Sequence, residues 1–300
     1  MTVKAASPSS DVQSLLADAR RLGDAVAALR PVLEAFTPVF VAQRAAREQA
    51  CGWSAPLPEG YAERFSAGVP VLSGHGFMDA SPWFVQAAGP ILRAMEQGLP
   101  AIAQSLRCMK LGIETGEIAF ATAAQAALAS PSEPWCGVDP DVFAFASRMI
   151  LRPLLARQAE DLAGHIQDLP WQRPYCPICG GKPDFSMLRR VRDEAEYISG
   201  HGGVRFLRCS TCETQWRYKR ISCPDCGNEE PERLTVLHAQ TRPFERLDVC
   251  EACKAYCPCL DAGEFVETPD SDIALLAMLP LEMLVRPKGY HPLAAVAWTV

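Results

Sequence analysis

Four Cys-x-x-Cys pairs lie between residues 176 and 253: Cys176/Cys179, Cys209/Cys212, Cys223/Cys226 and Cys250/Cys253. The two-residue gap lets both sulfurs of a pair face one ion, and two pairs complete a tetrahedral four-thiolate shell for zinc or iron. One such pair is a weak signal. Four together are a strong one, because each pair has a partner available to close a shell. Units this small bury little core of their own, so a metal staple is expected to hold each fold together.

A repeat indicates which pairs combine. One unit runs CPICGGKPDFSML and then VRFLRCSTCETQW; the other runs CPDCGNEEPERLTV and then FERLDVCEACKAY. Each opens on Cys-Pro-x-Cys-Gly, enters an apolar strand, and returns on a second strand into Cys-x-x-Cys. Each then places an aromatic residue nearby, Trp216 or Tyr256. The expected pairing is consecutive. Cys176, Cys179, Cys209 and Cys212 would hold one ion, and Cys223, Cys226, Cys250 and Cys253 a second. Gly180 and Gly227 directly follow a knuckle, where the backbone often needs positive φ. Cys257 and Cys259 are left over, as spare thiols or as an alternative ligand near the second site. Two full shells leave no place for His201 or His238, which read as surface or structural residues.

Other readings of the cysteines fit less well. The chain has 13 cysteines, an odd total with eight of them in pairs, which argues against a secreted disulfide framework. Thioredoxin-like chemistry needs one such pair at a helix N-terminus near a βαβ pattern, and neither feature is apparent. An iron–sulfur cluster also accepts four thiolates. A knuckle followed by glycine and a strand is closer to a zinc ribbon or rubredoxin, with one ion per site.

The rest of the chain has a different character. From Asp11 to about Gln167 the apolar residues recur at helical spacing, as in Leu15, Ala19, Leu22, Val26 and Leu29. Pro31 suits a first helical turn, and Asp139 followed by Pro140 reads as an N-cap. Pro153 is expected to break or kink the last of these helices. Cys51 to Ser81 is rich in Gly, Pro and Ser and reads as a long connection with little regular structure. Such stripes are what burying one face of each helix requires, and Cys51, Cys108 and Cys136 are isolated thiols among them. No G-x-S-x-G, Gly-rich phosphate loop or H-E-x-x-H occurs there, so no catalytic residues are assigned. The tail from Asp270 returns to helical spacing, interrupted by Pro280.

The expected fold therefore combines α and β in several domains. An all-helical domain over 1–169 precedes two tandem rubredoxin-like or zinc-ribbon-like units over 170–219 and 220–268, with a short helical tail over 269–300. The formal net charge of −6 disfavours a nucleic-acid binder. The N-terminus shows no apolar core of a secretory signal, and no stretch approaches the roughly 20 apolar residues of a membrane span. A soluble, cytoplasmic protein without membrane insertion is expected.

The chain resembles the formate dehydrogenase accessory protein FdhE family. The resemblance rests on RPYCPICGGKPDF, on RFLRCSTCETQWRYKRISCPDCGN and on LDVCEACKAY, with Trp216 after the second knuckle and Lys254, Ala255 and Tyr256 after the fourth. It implies a cytosolic maturation factor that associates with the catalytic subunit of a respiratory formate dehydrogenase before export. It implies a helical part and two rubredoxin-like parts, with an iron ion in each four-cysteine site and zinc as the alternative. The sequence departs from the family pattern after Tyr256. Cys257, Pro258 and Cys259 stand where a continuing strand with a lysine is expected. Two rival functions remain open on the residues alone: a rubredoxin-like electron carrier and a zinc-ribbon nucleic-acid binder.

Overall fold

The computed structural model describes residues 3–4, 12–128, 135, 137–190, 203–265 and 267–294. Cys136 and His201 lie outside these residues. The helical layer contains α1 (Val12–Ala25), α2 (Arg30–Gln49), α3 (Tyr61–Ser66), α4 (Ser81–Gly98), α5 (Ala103–Glu114), α6 (Phe120–Leu128) and α7 (Pro140–Gly164). Its core joins Leu15, Phe36, Phe40, Ile91, Met95 and Ile150. Gly98 lets α4 close onto α2, since a Cβ there would sit 2.4 Å from the Ala35 carbonyl oxygen.

Helix α7 is the central element. Asp139 caps it as expected, its Oδ1 accepting from the Asp141 and Val142 amides at 2.9 and 3.4 Å. Pro153 does not end it: the helix continues to Gly164. Buried residues occur nearly all round α7, Pro153 among them, so tertiary packing holds the helix across a residue that would break an isolated one.

The sequence between Cys51 and Ser81 is more ordered than its composition suggests. It contains α3, and it buries Phe65, Val71 and Leu72 against Trp171, Ile178 and Trp216. The Val71 and Leu72 amides donate to the carbonyls of Pro177 and Ile178, both at 2.9 Å. This segment is a clamp over the first cysteine knuckle.

The strands are β1 (Val3–Lys4), β2 (Pro183–Arg189), β3 (Val204–Cys209), β4 (Gln215–Tyr218), β5 (Leu234–Ala239), β6 (Arg242–Cys250), β7 (Ala255–Asp261) and β8 (His291–Pro292). They form one sheet in the order β1-β4-β3-β2-β7-β6-β5, with β8 beside β7. Each cysteine repeat supplies an antiparallel meander, β2-β3-β4 and β5-β6-β7. The parallel pairing of β2 with β7, Ser186 opposite Cys259, joins the meanders.

Strand β7 runs straight through Cys257, Pro258 and Cys259, where the sequence leaves the family pattern. On its flank away from β6, β8 pairs at 255–256 and β2 at 259–261. Pro258 falls in the gap between them, where a missing N–H costs no ladder hydrogen bond.

The tail forms α8 (Ser271–Ala277) and α9 (Leu279–Val285), with Pro280 in the first turn of α9. Every residue of α8 from Asp272 to Ala277 is buried. Ile273 and Leu276 belong to the helical core, while Ala274 and Leu275 belong to the core under the sheet. A helix apolar on all sides must be covered on all sides, and α8 is the layer the two halves share.

Charges also cross this junction. Asp272 accepts from Arg208 Nη1 at 2.8 Å, Arg152 Nη2 at 2.5 Å and Arg44 Nη2 at 3.0 Å. Arg208 also forks onto Asp184, with Nε and Nη2 each 3.0 Å from a carboxylate oxygen. Burial works against the ionised Asp272, but Arg152, Arg208 and Arg44 outweigh it and hold its carboxyl well below the usual range.

Candidate metal centres

The eight paired cysteines converge in two groups, Cys176, Cys179, Cys209 and Cys212, and Cys223, Cys226, Cys250 and Cys253. In each group the sulfurs lie within 4.8 Å of one another. In the first, Cys176–Cys212, Cys179–Cys209 and Cys179–Cys212 are 3.6, 3.5 and 3.6 Å apart. In the second, Cys223–Cys253 and Cys226–Cys250 are 3.6 and 3.7 Å apart. A tetrahedral ion with metal–sulfur bonds of about 2.3 Å sets its sulfurs about 3.8 Å apart, so the donor set fits one ion per group. The consecutive arrangement expected from the repeat is the one the sulfurs adopt.

The four knuckles share one backbone device. The residue after the second cysteine has positive φ in each: Gly180 (78°), Glu213 (59°), Gly227 (74°) and Lys254 (64°). Its amide donates back to the carbonyl of the first cysteine, over 3.0, 3.1, 3.0 and 2.9 Å respectively. The turn aims further amides at sulfur: those of Gly181, Thr211 and Asp225 lie 3.4 Å from Cys179, Cys209 and Cys223. N–H dipoles of this kind favour thiolate over thiol. Gly181 has a steric reason as well, since a Cβ would come within 3.0 Å of the Cys209 sulfur.

Two of these positive-φ positions carry side chains, and each side chain is anchored. Glu213 accepts from Arg47 Nη1 at 2.5 Å and pairs with Arg152 Nε at 2.7 Å, which ties the first centre to α2 and α7. Lys254 pairs with Glu251 at 2.6 Å and lies 4.9 Å from the Tyr290 ring centre. The anchor at Lys254 is solvent-exposed and weak, so backbone strain should dominate there. Lys254→Gly is therefore expected to be more stable than Lys254→Ala by about 0.5–1 kcal/mol in urea denaturation of the metal-loaded protein, the relief of left-handed strain exceeding glycine's unfolded-state entropy. Equal stabilities would mean that residue 254 does not need this conformation.

The thiols of the two groups shift in different directions: burial works against ionising Cys250, but hydrogen bonds from the Cys253 and Ala252 amides outweigh it and lower that thiol. The Cys179 thiol is held well above its usual range by its hydrogen bonds with Cys176, Cys209 and Cys212, and by burial. Burial likewise raises Cys253. Binding a divalent ion must displace these protons.

The two centres differ in exposure. Cys176, Cys209 and Cys212 are fully buried beneath the 51–81 clamp, whereas Cys226 is exposed and Cys253 partly so. Trp216 is buried behind the first centre, its Nε1 donating to the Arg173 carbonyl at 3.0 Å. Tyr256 is buried beside the second, its hydroxyl donating to Glu282 at 2.9 Å. Cys257 and Cys259 join neither group. They are buried on β7, where desolvation pushes both thiols up to about 12. His238 is exposed, and Cys51 and Cys108 are half-buried thiols of the helical half. The sequence reading missed the clamp residues and the Glu213 anchor; the apolar Phe65, Val71 and Leu72 within a Gly/Pro-rich stretch were the signal that could have revealed the clamp.

Comparison with known proteins points one way. Residues 175–220 match the family model described as FdhE, central domain. A protein FdhE homolog of Aquifex aeolicus is 28% identical over 155 residues, covering 51% of this chain and 51% of its own length. Protein FdhE of Escherichia coli is 32% identical over 125 residues, covering 40% of this chain and 35% of its own. The matched stretch thus spans about half of the first relative and about a third of the second. The crystal structure of the FdhE protein from Pseudomonas aeruginosa superposes with a TM-score of 0.63 over 97% of this chain and 96% of that one; at 22% identity it supports the fold. The resemblance drawn from the cysteine motifs is borne out. Among the described residues, no helix is long and apolar enough to cross a membrane.

Proposed function

We propose that this chain, whose residues 175–220 match the FdhE central domain, is a cytoplasmic accessory factor for formate dehydrogenase that binds the enzyme's catalytic subunit during maturation. The observation that carries the reading is the pair of preorganised four-sulfur groups within an FdhE-like fold. In this reading Cys176, Cys179, Cys209 and Cys212 ligate one ion and Cys223, Cys226, Cys250 and Cys253 the other, iron in each case with zinc as the alternative. The ions would close the knuckle turns, and the knuckle amides would hold the sulfurs as thiolates.

Cells lacking the protein should still make the dehydrogenase polypeptide but oxidise little formate. Restoring the chain should restore activity, and Cys179→Ser or Cys226→Ser should restore it only in part. Normal formate oxidation in the deletion strain would overturn the assignment.

One observation favours a second reading, electron transfer. Cys226 is exposed and Cys253 partly so, which places the second centre near the surface and within reach of an electron-transfer partner. A reversible one-electron couple in the purified protein would support it; zinc, which has no redox chemistry, would remove it.

A further inference from the structure

An open groove of about 940 Å³ lies where the helical layer meets the first metal centre. Leu151 and Leu155 of α7, Phe120 and Ala121 of α6, and Phe77 of the clamp give it apolar walls. Leu128, at its edge, is 82% exposed and extends the apolar wall to the surface. The remaining wall is made by the tips of the first centre's knuckles, Cys179 to Gly181 and Ser210 to Thr211. No cysteine of the second centre lines it.

The groove's charges say what it can receive. Arg152 is already held by Glu213 and Asp272. Asp79 Oδ1 accepts from the Ser81 amide and hydroxyl at 3.0 and 2.6 Å. Arg148, half-buried on α7, makes no hydrogen bond or ion pair among the described residues. Burial pulls its guanidinium below the ordinary range, with only a remote Asp141 acting the other way. A half-buried cation on an apolar wall would lose its water when a partner covers the groove, so a partner that brings its own anion is favoured. A nucleic-acid strand would need several cations and would leave the apolar walls unused. One carboxylate set among apolar side chains satisfies both features.

We propose that this groove is the docking site for the client polypeptide, taking an apolar segment that carries one carboxylate, and that the carboxylate pairs with Arg148. The inference rests on the accessory reading above and adds where and by what chemistry the client is held. It also assigns the centres different roles. The Gly181 and Thr211 amides that shape the groove wall are held by sulfurs of the first centre, so docking depends on that centre and not on the second.

The test uses the full-length, metal-loaded protein and the purified catalytic subunit of formate dehydrogenase lacking its cofactors, with affinity measured by calorimetry. Arg148→Glu and Ala121→Trp, which places an indole at an exposed groove position, should each weaken binding by at least about tenfold, equivalent to about 1.4 kcal/mol. Arg148→Lys should retain most of the affinity. Cys179→Ser should weaken binding and Cys226→Ser should not. Circular dichroism and metal content of the Arg148 and Ala121 variants should match the parent, which separates lost docking from lost folding. If the parent binds and Arg148→Glu and Ala121→Trp bind within about twofold of it, the groove is not the docking site, while the accessory reading stands. If the parent does not bind, the accessory reading fails and this inference with it. Concentration-dependent self-association abolished by Ala121→Trp would assign the groove to a second copy of the chain and overturn the proposal.

Discussion

Cys209→Ser is expected to reduce bound metal from about two ions per chain to about one, with the loss confined to the first centre. The consecutive grouping of sulfurs dictates this: Cys209 shares its group with Cys176, Cys179 and Cys212, and the other four cysteines lie apart. Structural zinc supplies about 10–16 kcal/mol of apparent folding free energy in isolated fingers. Here part of that would be retained by the apolar cluster of Trp171, Ile178, Leu207 and Trp216 around the site. The expected result is local unfolding of residues 176–190 and 203–212 and of the 51–81 clamp, seen as faster amide exchange there, with β5 and β6 still protected. The exposure difference adds an order to chelation. A competing chelator should empty the centre of the exposed Cys226 before that of Cys176, in which Cys179 alone is partly exposed. Simultaneous loss of both ions from Cys209→Ser would contradict the grouping, and several irons per site with labile sulfide would contradict single ions.

The second large effect lies away from the cysteines. Asp272→Asn should destabilise the metal-loaded protein by about 3–5 kcal/mol in urea, because it leaves Arg44, Arg152 and Arg208 buried with one fewer anion. That is a large share of a typical stability of about 5–15 kcal/mol. The pH dependence follows in sign. The folded state depresses the Asp272 carboxyl, so its contribution is fully present above the unfolded value of about 3.9 and is lost as pH falls toward the folded value. The parent should lose stability below about pH 4 more steeply than Asp272→Asn. A variant with parental stability and an unchanged acid limb would show that the arginines find other partners.

The cysteine sites were largely legible in the sequence, and the joint between the halves was not. A Cys-x-x-Cys pair is local: its spacing alone nearly fixes the turn, and the repeat supplied the grouping. Strands such as Val204–Cys209 could likewise be read from their own residues. Arg44 and Arg47, by contrast, sit in a helix as ordinary surface charges would, and their partners lie far along the chain at Asp270, Asp272 and Glu213. No local pattern marks such a pair. The same holds for the β2–β7 pairing, whose parallel register joins two units that each look complete. The clamp was hidden for another reason: its Gly and Pro content reflects tight turns around a knuckle, and composition reads that as a linker.

The arginine cluster has a consequence for how the chain is made. Arg44 leaves the ribosome 228 residues before Asp272, and Asp18 precedes by 252 residues the Asp270 amide that it accepts. At typical synthesis rates of 5–20 residues per second, the early helices wait roughly 10–50 s for these partners. During that interval Arg44 and Arg152 favour water over burial, and the face that α8 will cover stays open. A nascent chain stalled before residue 270 should therefore be bound by chaperones and cut by proteases within its helical half. Release of a few dozen further residues should close that half in a single step, so that the last-made helix serves as the latch on the first-made ones.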